Sequence, residues 1–142
     1  MLDYDKYFLK EYQFHLKEVK YEMLKEASPG EQYELICEDY INTEILQEKK
    51  LYIVFLRQVK FKPNALYNLS VSFGAVFTFK DEAKNDLDLH SINWGDEVVD
   101  NWMKFLSNIT SRASMLISQI TSSYGQSPVV TPPNIIKEVQ KK

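Results

Sequence analysis

Tyr67-Asn68-Leu69-Ser70-Val71-Ser72-Phe73-Gly74-Ala75-Val76-Phe77-Thr78-Phe79 decides the fold class. Tyr67, Leu69, Val71, Phe73, Ala75, Phe77 and Phe79 fall on one face, with Asn68, Ser70, Ser72, Gly74 and Thr78 on the other. Strict alternation is the signature of a half-buried strand, and it predicts one over 66–80 with a bend at Gly74. Upstream, Leu51 to Phe61 is apolar on both faces at first, as a central strand would be, and Pro63-Asn64 ends it. Tyr33, Leu35, Cys37, Ile41 and Ile45 share a face opposite Glu34, Glu38, Asn42 and Glu44, so 33–46 reads as a strand with a wet outer side. Gln47-Glu48-Lys49-Lys50 is the tip of the hairpin between these two strands.

The first strand is expected over 12–25. Tyr12, Phe14 and Leu16 alternate on even positions and Val19, Tyr21 and Met23 on odd ones; the change of parity at Lys17-Glu18 marks a β-bulge. Ser28-Pro29-Gly30 is a turn signal. Beyond an acidic, irregular connector from Asp81 to Ile92 the period changes. Asn93 is a fair N-cap, and Val98, Trp102, Phe105, Ile109, Ala113, Leu116, Ile117 and Ile120 recur at spacings of three and four. The expectation is α+β: a four-stranded antiparallel sheet followed by one long helix, 94–123, packed across it.

Between Phe105 and Ile136 the only charged residue is Arg112. An exposed amphipathic helix carries charge opposite its apolar stripe, whereas this one carries small hydroxyls and amides. That composition suits a helix covered on both sides, by its own sheet and by another subunit; the alternative is a Ser-rich exposed helix. It places Trp102, Ser107, Ser111, Ser114 and Ser118 at an oligomer interface.

The remaining composition narrows the function classes. The chain has 142 residues, 44% of them hydrophobic, and a net charge of −3, which fits one globular domain (1–142) and argues against nucleic acid as the main partner. No apolar run is long enough to span a membrane, and the acidic N-terminus does not read as a targeting signal, so a cytoplasmic location is expected. Cys37 is the single cysteine and reads as a small buried hydrophobe. His15 and His90 stand in no metal-ligand spacing, and the four glycines form no phosphate-cradling loop. No catalytic residue, metal or cofactor is expected.

Two stretches carry a family resemblance. Leu116-Ile117-Ser118-Gln119-Ile120-Thr121-Ser122-Ser123-Tyr124-Gly125-Gln126-Ser127-Pro128-Val129-Val130-Thr131-Pro132-Pro133-Asn134 resembles the helix end and Pro-rich extended segment of the SecB export-chaperone family. Ser72-Phe73-Gly74-Ala75-Val76-Phe77 resembles its fourth strand, and the order of elements agrees over nearly the whole chain. The resemblance implies a homotetramer built as a dimer of dimers. It also implies ATP-independent holding of unfolded or precursor polypeptides, as in protein export. The link between the first two strands is shorter than the family often has, and the sequence stops soon after Asn134. That weakens partnership with the SecA motor and fits an antitoxin-linked, dedicated chaperone equally well.

Clients are expected to meet apolar surface left uncovered by the oligomer. Tyr124, Val129, Val130 and Ile135, in a segment stiffened by Pro128, Pro132 and Pro133, are the first candidates. Tyr40 and Tyr52 form the opposing wall, and Glu34, Glu38 and Glu44 make an acidic partner surface. The alternative, that Val129 and Val130 simply close over the core, stays open. Residues 126–142 are expected to be an extended segment ending in a frayed tail.

Overall fold

The computed structural model describes residues 2–47, 49–123, 127–136 and 140–141. Four antiparallel strands follow the sequence pattern closely: β1 (Phe8–Met23), β2 (Glu34–Leu46), β3 (Lys50–Lys62) and β4 (Tyr67–Phe79). The order across the sheet is β1-β4-β3-β2, and a two-residue strand β5 (Gln140–Lys141) adds to β2 in parallel. The short link after β1 therefore crosses from one edge of the sheet to the other. Its backbone is tied at the start, Leu24 N donating to Leu66 O and Leu66 N to Lys25 O, both at 2.8 Å.

The bulge expected at Lys17-Glu18 is present as a register shift between Leu16 and Glu18, and a second shift lies between Phe8 and Tyr12. β1 thus begins before residue 12, where alternation is interrupted and the sequence gives no period to read. Gly74 sits within unbroken pairing on both sides, opposite His15 and Val54, so the expected bend takes the form of a close approach. A Cβ there would lie 2.7 Å from His15 Cε1 and 2.8 Å from the Tyr52 hydroxyl.

The helical region begins where expected, with Asn93 Oδ1 accepting from Asp96 N at 3.1 Å. It is not one continuous helix. It runs as α3 (Trp94–Asp100), α4 (Trp102–Phe105) and α5 (Ser107–Ser122), after short helices α1 (Tyr4–Tyr7) and α2 (Asp81–Asp86). The backbone leaves the helical region at Asn101 and Leu106. Phe105 and Leu106 are both buried, although adjacent residues on a straight helix point about 100° apart. The break lets both reach the core. Asn101 turns its amide to the Leu2 carbonyl at 3.4 Å, and Leu2 N donates to Glu97 at 3.0 Å, so the N-terminal segment docks where the helix is interrupted.

Helices and sheet meet over one core. Tyr4, Phe8, Phe77 and Phe105 pack edge-on or stacked with centroids 5.1 to 6.3 Å apart, and Trp94 caps the group with its indole N–H on Leu89 O at 2.8 Å. Ile109, Ala113 and Ile117 of α5 close the central part of the sheet's inner face. Truncating a buried aromatic such as Phe77 to Ala costs about 3–5 kcal/mol in such settings.

Candidate functional site

After α5 the chain turns back along the inner face as an extended strap, residues 127–136. Its anchor is a buried ion pair. Asp39 and Arg57 lie opposite each other in the β2–β3 register, both at 0% exposure, with Arg57 Nε on Asp39 Oδ1 at 2.7 Å and Nη2 on Oδ2 at 2.9 Å. The other guanidinium hydrogens go to the strap: to Thr131 Oγ1 at 3.1 Å, to the Pro132 carbonyl, and to Asn134 O at 2.9 Å. Asp39 Oδ2 in turn accepts from Ile136 N at 2.8 Å. From the helix side, Ser114 Oγ donates to Thr131 O at 2.6 Å and Thr121 Oγ1 accepts from Val129 N at 2.8 Å. Every buried polar side-chain atom among the described residues has a partner, as a stable buried charge pair requires.

Asp39 lies within an acidic stretch, Glu26 to Glu48, and Arg57 within a basic one, Lys49 to Lys62, and charge composition alone gives the pair no role. Parity was the available signal: Asp39 stands between Cys37 and Ile41 on the apolar face, and Arg57 between Phe55 and Val59. Opposite charges on the inner faces of neighbouring strands imply each other, because neither is buried alone without a large penalty.

The strap residues divide. Val129 and Ile135 are half-buried against the core, whereas Val130 is 76% exposed. Tyr124 lies outside the described residues. Tyr40 and Tyr52 are half-buried on the sheet's outer face, opposite the strap, so the structure does not bring these two groups into one groove. The tyrosines instead share that outer face with Ile36, Val54, Leu56 and Val76, all partly exposed. No helix among the described residues covers it. His15 stacks parallel to Tyr52 with centroids 6.4 Å apart, over the space left by Gly74.

The acidic surface is uneven. Glu34 and Glu44 are exposed on β2. Glu38 is engaged: Lys60 bonds it at 2.8 Å and the Tyr40 hydroxyl donates to it at 3.0 Å. The Lys60 ammonium holds the Glu38 carboxyl below its ordinary value, and Glu38 raises Lys60 and Tyr40. Along the helix, Ser107 and Ser111 are exposed, Trp102 and Ser118 half-buried, and Ser114 is committed to the strap. Burial pushes the Cys37 thiol up to about 11, against the pull of Arg57, which leaves it a poor nucleophile at neutral pH. No group of three or more His, Cys, Asp or Glu positioned to hold a metal occurs among the described residues, and no helix there is long and apolar enough to cross a membrane.

No family model matches the sequence, and no curated protein is similar to it in sequence. In structure the chain is similar to the Mycobacterium tuberculosis Rv1957 SecB-like chaperone in complex with a ChAD peptide from Rv1956 HigA1 antitoxin. The TM-score is 0.51 at 9% identity, over 84% of this chain and 86% of that chain. A four-stranded antiparallel sheet with helices packed across one face, in that order, is a SecB-like fold, and this chain has it.

Proposed function

We propose that this chain is an ATP-independent chaperone that holds non-native polypeptide segments on the outer face of β2 and β3. The observation that carries the reading is an apolar outer face, with Tyr52, Val54 and Leu56 on β3 beside Ile36 and Tyr40 on β2. A one-layer sheet packed by helices on its other side normally turns polar residues to water there. An uncovered apolar face of this kind is a binding surface or a solubility hazard. Glu44 and Glu34 at its border favour clients with basic residues near their apolar segments. Val130 on the strap supplies a second, separate contact, with the exposed part of Ile135 beside it on the same segment. In its broader form the reading is protein export from the cytoplasm, with precursor chains as clients and the SecA motor as partner.

A second reading is a dedicated chaperone for one polypeptide, such as an antitoxin. The similarity to a chaperone bound to an antitoxin peptide favours it. In both readings the protein is a homo-oligomer, in the fullest form a dimer of dimers, with the uncharged face of α5 around Ser107, Ser111 and Met115 meeting a second subunit.

The test is suppression of aggregation of several unrelated unfolded proteins without nucleotide. Wild type should slow aggregation, and Tyr52→Ser with Leu56→Ser should abolish that while the melting temperature stays within a few degrees. Holding of a single co-purifying polypeptide alone would select the dedicated reading. Wild type that holds nothing would refute both.

A further inference from the structure

The outer face carries its apolar side chains in one block: Tyr52, Val54 and Leu56 on β3, Val76 on β4 and Tyr40 on β2, all partly exposed. Tyr52 lies opposite Val76, and Leu56 lies between Tyr40 and Ser72. Both strands at the centre of the block are interior. From Tyr52 to Leu56, β3 is paired with β2 and with β4; from Ser72 to Val76, β4 is paired with β3 and with β1. Their backbone N–H and C=O groups are spent within the sheet, so this face offers side chains and no ladder to join. The block is also short. At one end it gives way to an open, polar hollow of about 490 Å³ whose lining includes Lys20, Gln58, Asn68 and Ser70. At the other end it stops at the paired residues Lys50 and Thr78.

We infer that this face takes its clients as amphipathic helices lying along the strands, not as extended chain. The inference rests on the chaperone reading above and names the client conformation that is recognised. Tyr52 to Leu56 spans about 13 Å at the rise of a strand. An extended segment covers that length with about four residues, only about two of them facing the sheet. A helix covers it with about nine residues, of which roughly three or four form one apolar stripe. An extended segment laid on the face would also bury N–H and C=O groups that the interior strands cannot satisfy, and each such group carries its full desolvation cost. A helix arrives with its backbone already bonded, so the stripe alone has to leave water.

Charge sets the flanks of that helix. Glu44 stands exposed on β2 opposite Tyr52, and on the β1 side the Lys17 ammonium lies 6.0 Å from the Tyr52 ring centroid. Farther along the face, Glu38 is bonded to Lys60 and Glu18 to Lys20, so these pairs present little net charge. The complementary partner is a helix with Lys or Arg on the flank toward β2 and neutral or acidic residues on the flank toward β1. Unfolded chains supply such segments, because they retain fluctuating helices under native-like conditions.

The experiment titrates labelled peptides of about 18 residues with the full chain and follows fluorescence anisotropy. Two peptides share the same Leu, Lys, Ala and Gln content. One spaces its leucines by three and four with lysines along one flank; the other alternates leucine with polar residues. A third is the helical peptide with a central proline. The helical peptide should bind about tenfold more tightly than either of the others and gain helical circular dichroism on binding. Tyr52→Ser with Leu56→Ser should abolish its binding. Glu44→Lys, at an exposed position, should weaken it several-fold, and a glutamate-flanked version of the peptide should bind that variant better than wild type. Equal or tighter binding of the alternating or proline peptide, binding that survives Tyr52→Ser with Leu56→Ser, an unchanged charge preference in Glu44→Lys, or no binding of any peptide would overturn the proposal. Wild type that suppresses aggregation yet fails these comparisons loses the helical inference alone, whereas wild type that holds nothing loses the chaperone reading with it.

Discussion

Arg57 on β3 and Asp39 on β2 form a fully buried, two-bonded ion pair, and the same two side chains fix the strap that follows the last helix. Burying charge is expensive, so the pair adds little net stability over a well-packed apolar pair, while losing one member leaves the other stranded. Arg57→Met should therefore destabilise by about 3–5 kcal/mol. Asp39→Leu combined with Arg57→Met should recover much of that loss, though not the strap bonds. Urea unfolding of the three variants checks it; a double variant as unstable as the summed singles would refute the account.

Cys37 neighbours the ion pair that anchors the strap. It lies two residues from Asp39 on the same face, and burial holds its thiol up at about 11. Because the unfolded thiol ionises at lower pH, this group's contribution to stability is complete below its ordinary value and declines as pH rises from about 9 toward 11. Alkylation of the single cysteine at pH 8 should be slow in wild type and several-fold faster in Arg57→Met under conditions where that variant remains folded. Equal rates would show that the strap does not govern access to it.

The two strap valines should separate cleanly. Val129 is half-buried against the core and its N–H is bonded to Thr121, whereas Val130 is largely exposed. Val129→Ser should cost about 1–2 kcal/mol, and Val130→Ser should stay within about 0.5 kcal/mol. If Val130 contacts clients, its substitution should reduce holding with the thermal midpoint unchanged. Loss of holding only in proportion to loss of folded protein would assign the strap a structural role alone.

Gly74→Ala tests the outer face. The added methyl meets the ends of the His15 and Tyr52 side chains, the first exposed and the second half-buried, rather than backbone. The expected cost is about 1 kcal/mol, at the mild end of overpacking, with the His15–Tyr52 stack opened. The His15 ring proton shifts should move toward random-coil values by NMR, and client binding should change. A loss of more than about 3 kcal/mol would mean that the backbone, not the side chains, had to yield.

Much of this architecture is written locally in the sequence. Strand parity from Tyr67 to Phe79, the bulge at Lys17-Glu18 and the cap at Asn93 each depend on residues within a few positions of one another, and each is found where the sequence placed it. Those are short-range rules: side-chain alternation, backbone insertion, and a carboxamide satisfying a helix N–H. What tertiary structure decided lies at longer range. The helix breaks at Asn101, where the N-terminal segment, 99 residues away, bonds to its side chain. Arg57 is buried because Asp39 and the strap, 18 and more than 70 residues distant, together satisfy all its donors. Tyr40 and Val130 fall on opposite sides of the sheet because Thr131 enters the inner face, a choice made by the buried charge pair and recorded in no local period.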